Sequence, residues 1–258
     1  MFEIFDTHAH YDDRAFDEDR DELMRSLPEK GVAKFVNVGS SIEACHSTLQ
    51  IARDYEDAYC ALGIHPEDCG ETTEADMDWI AENAMHRKCV AIGEIGLDYH
   101  WPEPDHDTQK KWFARQINLA KELEKPIIVH SRDAAKDTID IMQENHAEEA
   151  GGVIHCYSYS LESAKIFLDM GFYIGIGGVL TFKNAKKLKE VAEWIPMDRF
   201  VLETDCPYMA PEPFRGKRND SSYIKYVIEK MAEIKGTDEA TIRKSAWENA
   251  HALYKWPL

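Results

Sequence analysis

The amino-acid sequence predicts a single (β/α)8 barrel, also called a TIM barrel, over residues 1–258. Eight short, largely apolar runs alternate with helix-sized segments along almost the whole chain. Eight β-then-α units in about 250 residues have the number and length typical of this fold. An open doubly wound sheet is the main alternative, but it usually has fewer strands, and no GxGxxG turn follows the first predicted strand.

The predicted strands are short, and several are apolar along nearly their whole length, as expected for parallel strands covered on both faces. In chain order they comprise residues 3–8, 34–39, 58–65, 89–96, 126–131, 152–157, 172–177 and 199–205. The helices between them are predicted by apolar side chains spaced near 3.6 residues, as in 108–125 and in 221–236, where Gly236 predicts the end of the helix.

The composition is that of a globular protein, with 44% hydrophobic and 30% charged residues. No apolar run approaches the ~20 residues of a membrane span, and the N-terminal residues lack the basic and apolar segments of a secretory signal. The six cysteines form no CxxC pair, so reduced thiols are expected. We therefore expect a cytoplasmic protein with no membrane association and no obligatory protein partner.

The net charge of −18 argues against nucleic acid as a partner, because an acidic protein repels a phosphate backbone at long range. Bound metal ions or local clusters of basic residues reverse the field at a single site. The charge therefore lowers the expectation of a nucleic-acid substrate without excluding it.

Side chains of the types that bind metals lie at the ends of five predicted strands, and strand ends converge at one rim of a barrel, where active sites are built. They are His8 and His10 at the first strand, Glu94 at the fourth, His130 at the fifth, His155 at the sixth and Asp205 at the eighth. A lone histidine at a strand end is more often a hydrogen-bonded structural residue. Five strands that present ligands at one end favour a divalent metal site, and this many ligands favour two ions. Imidazole and carboxylate donors suit Zn²⁺, Mn²⁺, Fe²⁺ or Mg²⁺.

Two further residues on the same rim are candidates for catalytic or substrate-binding roles. Glu203 should face the same interior as Asp205, where it orients a water or a ligand, or serves as a hydrogen-bonded interior carboxylate. His65 ends the third strand and is predicted to contact a substrate phosphate or to transfer a proton, with a structural role as the alternative.

Seven motifs, in their order along the chain, resemble the TatD family of metal-dependent deoxyribonucleases. They are FDTHAH, GIHP, IGEIGLDY, PIIVHSRDA, IHCYS, LETDCPYMAP and FRGKRN, and the resemblance runs from Phe5 to about Leu253. It implies an amidohydrolase-type TIM barrel with a two-metal centre. By the same resemblance, His8, His10 and Asp205 would bind one ion, His130 and His155 the other, and Glu94 both.

A centre of this kind hydrolyses phosphodiesters because its metals bind the phosphate, lower the pKa of a water and stabilise the leaving oxygen. Asp205 is placed to be a ligand and also to accept the proton of that water. Glu94 and Glu203 complete the predicted catalytic carboxylates.

Basic residues near the rim favour a substrate that carries phosphates. Arg132 follows the ligand-type His130 and is suited to meet a phosphate with two hydrogen bonds. Arg215 lies in the basic run FRGKRN after the eighth strand, although such a run is slightly more often a solvated loop. Asn219, which matches the family motif, is assigned with them and with His65 to substrate binding.

These observations predict an exonuclease-type deoxyribonuclease that acts on single-stranded or frayed DNA. Aromatic residues in rim loops, such as Tyr208, would stack on unpaired bases. One alternative is a metal-dependent esterase, lactonase or amidohydrolase that acts on a small neutral substrate, which the acidic net charge favours. The other is a metal-bearing scaffold or nucleic-acid-binding module without catalysis, and it is the least favoured because every expected ligand is present.

Overall fold

The computed structural model describes residues 3–255, so the first two and last three residues of the predicted domain lie outside it. Within that range one sheet has its strands in the order β1 to β8, each parallel to the next. They are β1 (Ile4–Ala9), β2 (Val32–Val38), β3 (Ala58–Leu62), β4 (Cys89–Asp98), β5 (Ile127–Arg132), β6 (Gly152–Ile154), β7 (Tyr173–Ile176) and β8 (Phe200–Leu202). This arrangement confirms the predicted (β/α)8 barrel.

The barrel closes where β1 meets the chain that follows β8. The His10 amide donates to the Cys206 carbonyl at 2.8 Å, and the Asp205 amide donates to the His8 carbonyl at 2.9 Å. A parallel bridge between Ala9 and Cys206 accompanies them. Closure therefore brings the first and last strand ends together at the carboxyl rim.

Helices connect the strands on the outside of the sheet. They are α1 (Arg20–Ser26), α2 (Ile42–Asp54), α3 (Glu74–Ala84), α4 (His106–Glu122), α5 (Ala135–Glu144), α6 (Leu161–Asp169), α7 (Lys186–Trp194), α8 (Ile224–Lys235) and α9 (Glu239–Leu253), with short 3-10 helices at Arg14–Phe16, Pro28–Lys30, Cys69–Glu71, Ala147–Glu149, Gly178–Thr181 and Ser221–Tyr223. Polar caps set where several begin: Ser41 accepts from the Ala44 amide before α2, and Thr73 forms a capping box with Asp76 before α3. No helix in residues 3–255 is both long and apolar enough to cross a membrane.

Apolar side chains form two layers, one outside the sheet and one inside the barrel. The outer layer packs the strands against amphipathic helices such as α4, whose Trp112 is buried. The inner layer includes Phe5 and extends to buried Tyr254 beyond α9. Asn249 of α9 donates to the carbonyl of Phe200, the first residue of β8, at 2.7 Å, so α9 packs at the amino end of the barrel. Apolar side chains and α9 therefore cover the amino end of the barrel.

The predicted strands 152–157 and 199–205 are longer than the observed β6 and β8. β6 ends one residue before His155, and β8 ends three residues before Asp205, whose φ of 58° lies in the left-handed region. These two side chains are therefore directed by turns that follow the strands, and strand alternation does not predict where they point.

Candidate metal centre

The predicted ligand side chains meet at one cavity of about 610 Å³ at the carboxyl end of the barrel. Most charged groups in its lining are carboxylates. Those carboxylates belong to Asp12, Asp13, Glu67, Asp68, Glu94, Asp98 and Asp205, whereas Arg132 is the single arginine. Such an excess of partly buried negative charge is costly unless cations offset it, so the lining itself favours cation binding.

The first group of candidate ligands surrounds Oε2 of Glu94. His8 Nε2 lies 3.3 Å and His10 Nε2 lies 3.8 Å from this oxygen. Oδ1 of Asp205 lies 3.4 Å from His10 Nε2 and 3.9 Å from His8 Nε2. The two histidines meet because they are two residues apart along one strand direction, and Asp205 reaches them through barrel closure. His8, His10 and Glu94 are close enough together to hold one metal ion, and so are His8, His155 and Asp205.

The second group surrounds the other oxygen of the same carboxylate. Oε1 of Glu94 lies 2.9 Å from His130 Nδ1 and 3.7 Å from His155 Nε2. His65 Nε2 lies 3.8 Å from this oxygen, although the sequence suggested a substrate contact for His65. His155 Nε2 is also 3.6 Å from Asp205 Oδ1, so His155 borders both groups. The structure therefore brings all six predicted ligand residues together and places His65 beside them.

Hydrogen bonds on the far side of two imidazole rings leave a lone pair directed into the site. His10 Nδ1 lies 2.8 Å from the Val38 carbonyl oxygen, which only accepts, so this nitrogen carries the proton. His130 Nε2 lies 2.9 Å from Asp98 Oδ2 and is protonated for the same reason. In the neutral rings, the nitrogens that face Glu94 are then unprotonated, and they repel a carboxylate unless a cation lies between them. The donor set therefore fits a bound metal.

In His65 the proton is on the ring nitrogen that faces the site. The Glu67 amide donates to His65 Nδ1 at 3.2 Å, so the proton of the neutral ring is on Nε2, the nitrogen nearest Glu94. Burial, followed by the charge of His130, lowers the pKa of His65 to about 3, so the ring is neutral. His65 therefore presents an N–H donor to the cavity, whereas His10 and His130 present lone pairs in their neutral forms.

Glu94 and Asp205 remain ionised at neutral pH despite their burial. Burial raises the pKa of Glu94, but the charges of His155 and His8 outweigh it and hold that pKa well below its usual range. Burial also raises the pKa of Asp205, while the hydrogen bond from His10 and the neighbouring imidazoles lower it overall. The site therefore contains two anions that favour positive charge around them.

These carboxylates change the pKa of the surrounding histidines. Burial lowers the pKa of His10, His130 and His155, but nearby carboxylates reverse the effect and raise it to about 9 in each ring. Burial and the charge of His155 lower the pKa of His8. Protons on three rings thus supply the positive charge that a divalent ion would bring, and protons and metal compete for the same nitrogens.

Glu203 lies behind His155 and does not line the main cavity. It is 1% exposed, its Oε1 accepts from the Cys156 amide at 2.6 Å, and its Oε2 is 3.1 Å from His155 Nδ1. A Cβ at Gly175 would lie 2.6 Å from Oε2, so glycine there leaves room for this carboxylate. Glu203 is therefore placed to position His155, which is the ligand-orienting alternative that the sequence left open.

Asp98 has a role that was not predicted from the sequence. It lies four residues after Glu94 on β4, is 1% exposed, and holds His130 by the hydrogen bond described above. Strand alternation was the available signal, because residues four apart on a strand face the same side.

The role of Asp6 was not predicted either. Its hydrogen bonds hold the segment that carries Asp205. Its carboxylate is fully buried and accepts from the Thr204 amide at 3.0 Å, the Thr204 hydroxyl at 2.5 Å and the Ser221 hydroxyl at 2.7 Å. These bonds tie β1 to the segment that carries Asp205. No local pattern identifies this role, because the partners are about 200 residues away in sequence.

Of the four predicted substrate-binding residues, two reach the cavity and two do not. His65 and the exposed Arg132 line it. Arg215 instead places its guanidinium 4.3 Å from the centre of the Phe182 ring. Asn219 is fully buried, and its side-chain amide donates to two backbone carbonyls of the loop after β8. Asn219 therefore shapes that loop.

Known proteins resemble this chain over nearly its whole length. A family model described as TatD related DNase matches residues 5–255. The chain is 45% identical over 252 residues to the uncharacterized metal-dependent hydrolase YabD of Bacillus subtilis (strain 168), covering 98% of this chain and 99% of that protein. It is 32% identical over 254 residues to the uncharacterized metal-dependent hydrolase YcfH of Escherichia coli (strain K12), covering 97% and 95%. The crystal structure of YjjV, a TatD homolog from Escherichia coli K12, matches with a TM-score of 0.92 at 29% identity and 98% coverage of both chains.

Proposed function

The chain belongs to the TatD-related DNase family of metal-dependent hydrolases, and from this premise we propose that it hydrolyses phosphodiester bonds of DNA. The observation that carries the proposal is the Glu94 carboxylate, which turns one oxygen to each of two groups of ligand side chains. A carboxylate shared in this way is expected of a centre with two ions. The substrate that we assign is the end of single-stranded or frayed DNA.

The proposed centre holds two divalent ions. His8, His10 and Asp205 would hold one, His130 and His155 would hold the other, and Glu94 would be a ligand shared by the two groups. Imidazole and carboxylate donors suit Zn²⁺, Mn²⁺ and, with waters completing the shell, Mg²⁺. When bound, such ions polarise a phosphate and provide a hydroxide-like nucleophile from water at neutral pH.

The chain's own side chains perform the remaining steps. Asp205 is 17% exposed and ionised, so its carboxylate accepts the proton of the attacking water. Neutral His65 donates its Nε2–H to a non-bridging phosphate oxygen, and Arg132 binds an adjacent phosphate with its guanidinium. Together they direct the scissile phosphate to the side of the cavity where Glu94 lies.

A hydrolase of small neutral esters, lactones or amides is the second candidate. The cavity lining favours it, because carboxylates greatly outnumber the single arginine, Arg132. Such a lining repels a polyanion unless bound ions offset its charge, whereas a neutral substrate is indifferent to it.

Digestion of end-labelled DNA, resolved at single nucleotides, tests the proposal. The purified protein is stripped of metal with a chelator, supplied with Mg²⁺, Mn²⁺ or Zn²⁺, and given single-stranded DNA, double-stranded DNA and a panel of esters and lactones. We expect stepwise shortening of single-stranded DNA, and roughly a hundredfold loss or more in Glu94→Gln and Asp205→Asn. Glu190→Gln, on an exposed position of α7, is the matched control.

The possible results separate the candidates. Turnover of esters or lactones without DNA cleavage under any metal supports the second candidate and contradicts the first. Undiminished DNA cleavage by both Glu94→Gln and Asp205→Asn contradicts the assignment of this site as the catalytic centre.

A further inference from the structure

A second, open groove of about 450 Å³ adjoins the candidate metal centre. The segment after β1 forms one wall, and the loop after β8 forms the other. Asp13 and Tyr208 line both the groove and the main cavity, so the two spaces share part of their walls. A substrate chain that leaves the metal centre in this direction enters the groove.

The groove differs from the main cavity in charge. Its lining contains three cations, Arg14, Lys217 and Arg218, and one carboxylate, that of Asp13. Arg14 and Lys217 are exposed, and within residues 3–255 neither has a carboxylate oxygen within 4.0 Å. In a protein with a net charge of −18, these two side chains form a local site for negative charge.

The walls of the groove are braced against each other. Arg218 donates to the Ala15 carbonyl at 2.9 Å and pairs with both oxygens of Asp19 at 2.7 and 2.6 Å. Its charge is therefore largely used within the protein, and its role is to connect the two walls. Arg14 and Lys217 remain available to a ligand on a preformed surface.

Tyr208 stands at the boundary between the two spaces. Its hydroxyl donates to Asp13 Oδ2 at 2.7 Å, and the residue is 54% exposed. An exposed ring held at its hydroxyl end loses little conformational freedom when a base stacks on it. Stacking on aromatic rings is largely independent of base identity, and it requires an unpaired base.

We propose that this groove is a substrate subsite that holds single-stranded DNA flanking the scissile phosphate. Arg14 and Lys217 bind backbone phosphates, and Tyr208 stacks on the base at the junction with the metal centre. This inference rests on the proposed deoxyribonuclease function and adds the direction in which the strand leaves the site. It also explains how a strongly acidic protein retains a polyanion, since local cations provide attraction that the overall field does not.

The test measures binding and cleavage separately in the full-length protein. The Arg14→Gln/Lys217→Gln variant is compared with Lys165→Gln/Arg87→Gln, which removes the same charge from exposed positions on α6 and before β4. Binding is measured by the anisotropy of a fluorescein-labelled oligothymidylate across a salt series. Cleavage is measured as the kcat/KM of that oligonucleotide, compared with the kcat/KM of a thymidine dinucleotide. Tyr208→Ala and Tyr208→Phe test the stacking platform in the same assays.

We expect the groove variant to bind the oligonucleotide roughly tenfold more weakly, and the slope of log affinity against log salt to become shallower by about 1.4, because two phosphate contacts on a single strand are lost. The kcat/KM ratio of oligonucleotide to dinucleotide should fall by a similar factor. Tyr208→Ala should weaken binding more than Tyr208→Phe, which keeps the ring.

Equal oligonucleotide affinity and salt slope in the groove variant, the control and the wild type would overturn the subsite, whether or not DNA is cleaved. A wild-type protein that fails to bind the oligonucleotide overturns it as well. Groove-dependent binding without cleavage under any metal contradicts the proposed function while supporting the subsite.

Discussion

Nε2 of His130 lies 2.9 Å from Oδ2 of Asp98, a carboxylate that is only 1% exposed. The other oxygen of Asp98 accepts from the His100 amide at 2.9 Å, so both oxygens have partners. This pair orients the imidazole so that Nδ1 faces Glu94. A carboxylate behind a metal-binding histidine sets the tautomer of the ring and makes its free nitrogen more basic.

We expect Asp98→Asn to weaken metal binding by roughly 10- to 100-fold. The amide preserves the side-chain volume, so the free energy of unfolding of the metal-free protein should change by no more than about 1 kcal/mol. Competition with a chelator measures the affinity, and urea denaturation measures stability. Asp133→Asn, an exposed carboxylate beyond β5, is the matched control. Metal affinity equal to that of the wild type in Asp98→Asn contradicts the role assigned to this carboxylate.

Two substitutions at Glu203 separate its charge from its hydrogen bond. Glu203→Gln keeps an acceptor for the Cys156 amide and removes the charge beside His155, so metal affinity should fall roughly tenfold at nearly unchanged stability. Glu203→Ala also leaves the partly buried Cys156 amide without its partner, which should cost a further ~1–3 kcal/mol in the free energy of unfolding. The same chelator and urea titrations measure both effects. If Glu203→Gln leaves metal affinity unchanged, the carboxylate does not act through His155.

The fold was predictable because its signals are local. Each strand is a short apolar run, and each connecting helix shows its own 3.6-residue spacing. His8 and His10 were expected to meet because residues two apart on a strand point to the same side. Their approach to Asp205 follows from barrel closure, which the number of β-then-α units already implied.

Features that depend on loop paths and distant partners were not predictable from the sequence. Asn219 lies in a basic run that is typical of a solvated loop, yet its side-chain amide donates hydrogen bonds to two backbone carbonyls of that loop. The tautomer of His65 depends on a single amide, that of Glu67, two residues along a turn. Asp6 interrupts an apolar strand. Its hydrogen-bond partners, Thr204 and Ser221, lie after β8, and no sequence pattern connects them to it.

Asp6 is expected to be essential for stability at the closure of the barrel. Asp6→Ala removes the acceptor for the Thr204 and Ser221 hydroxyls, and we expect the free energy of unfolding to fall by about 3 kcal/mol or more. Thr204→Val, which removes one hydroxyl and keeps the shape, should cost less. A double-mutant cycle between Asp6→Ala and Thr204→Val, followed by urea denaturation, should give a coupling of at least about 1 kcal/mol. Additive effects contradict a direct link between these side chains.

The buried thiol of Cys45 should make stability depend on pH in the alkaline range. Cys45 is fully buried in α2, its Sγ donates to the Gly63 carbonyl, and burial raises the pKa of the thiol from 9.0 to about 12. The unfolded chain releases this proton above about pH 9, whereas the folded chain retains it until about pH 12. The contribution of this thiol to the free energy of unfolding is therefore complete below the pKa of the unfolded chain and is lost as the pH rises through this window.

The size of the effect follows from the two pKa values. At about pH 10 the wild type should lose about 1.4 kcal/mol that Cys45→Ala does not lose, since the alanine variant has no proton to release. Urea denaturation of both proteins at about pH 8 and about pH 10 measures this loss. It should appear as a smaller stability gap at the higher pH, that is, a smaller difference in the free energy of unfolding between the two proteins. Ser47→Ala, on an exposed position of the same helix, should keep a constant gap to the wild type. A gap for Cys45→Ala that is equal at both pH values means that the folded and unfolded chains bind this proton alike, and that burial does not protect the thiol.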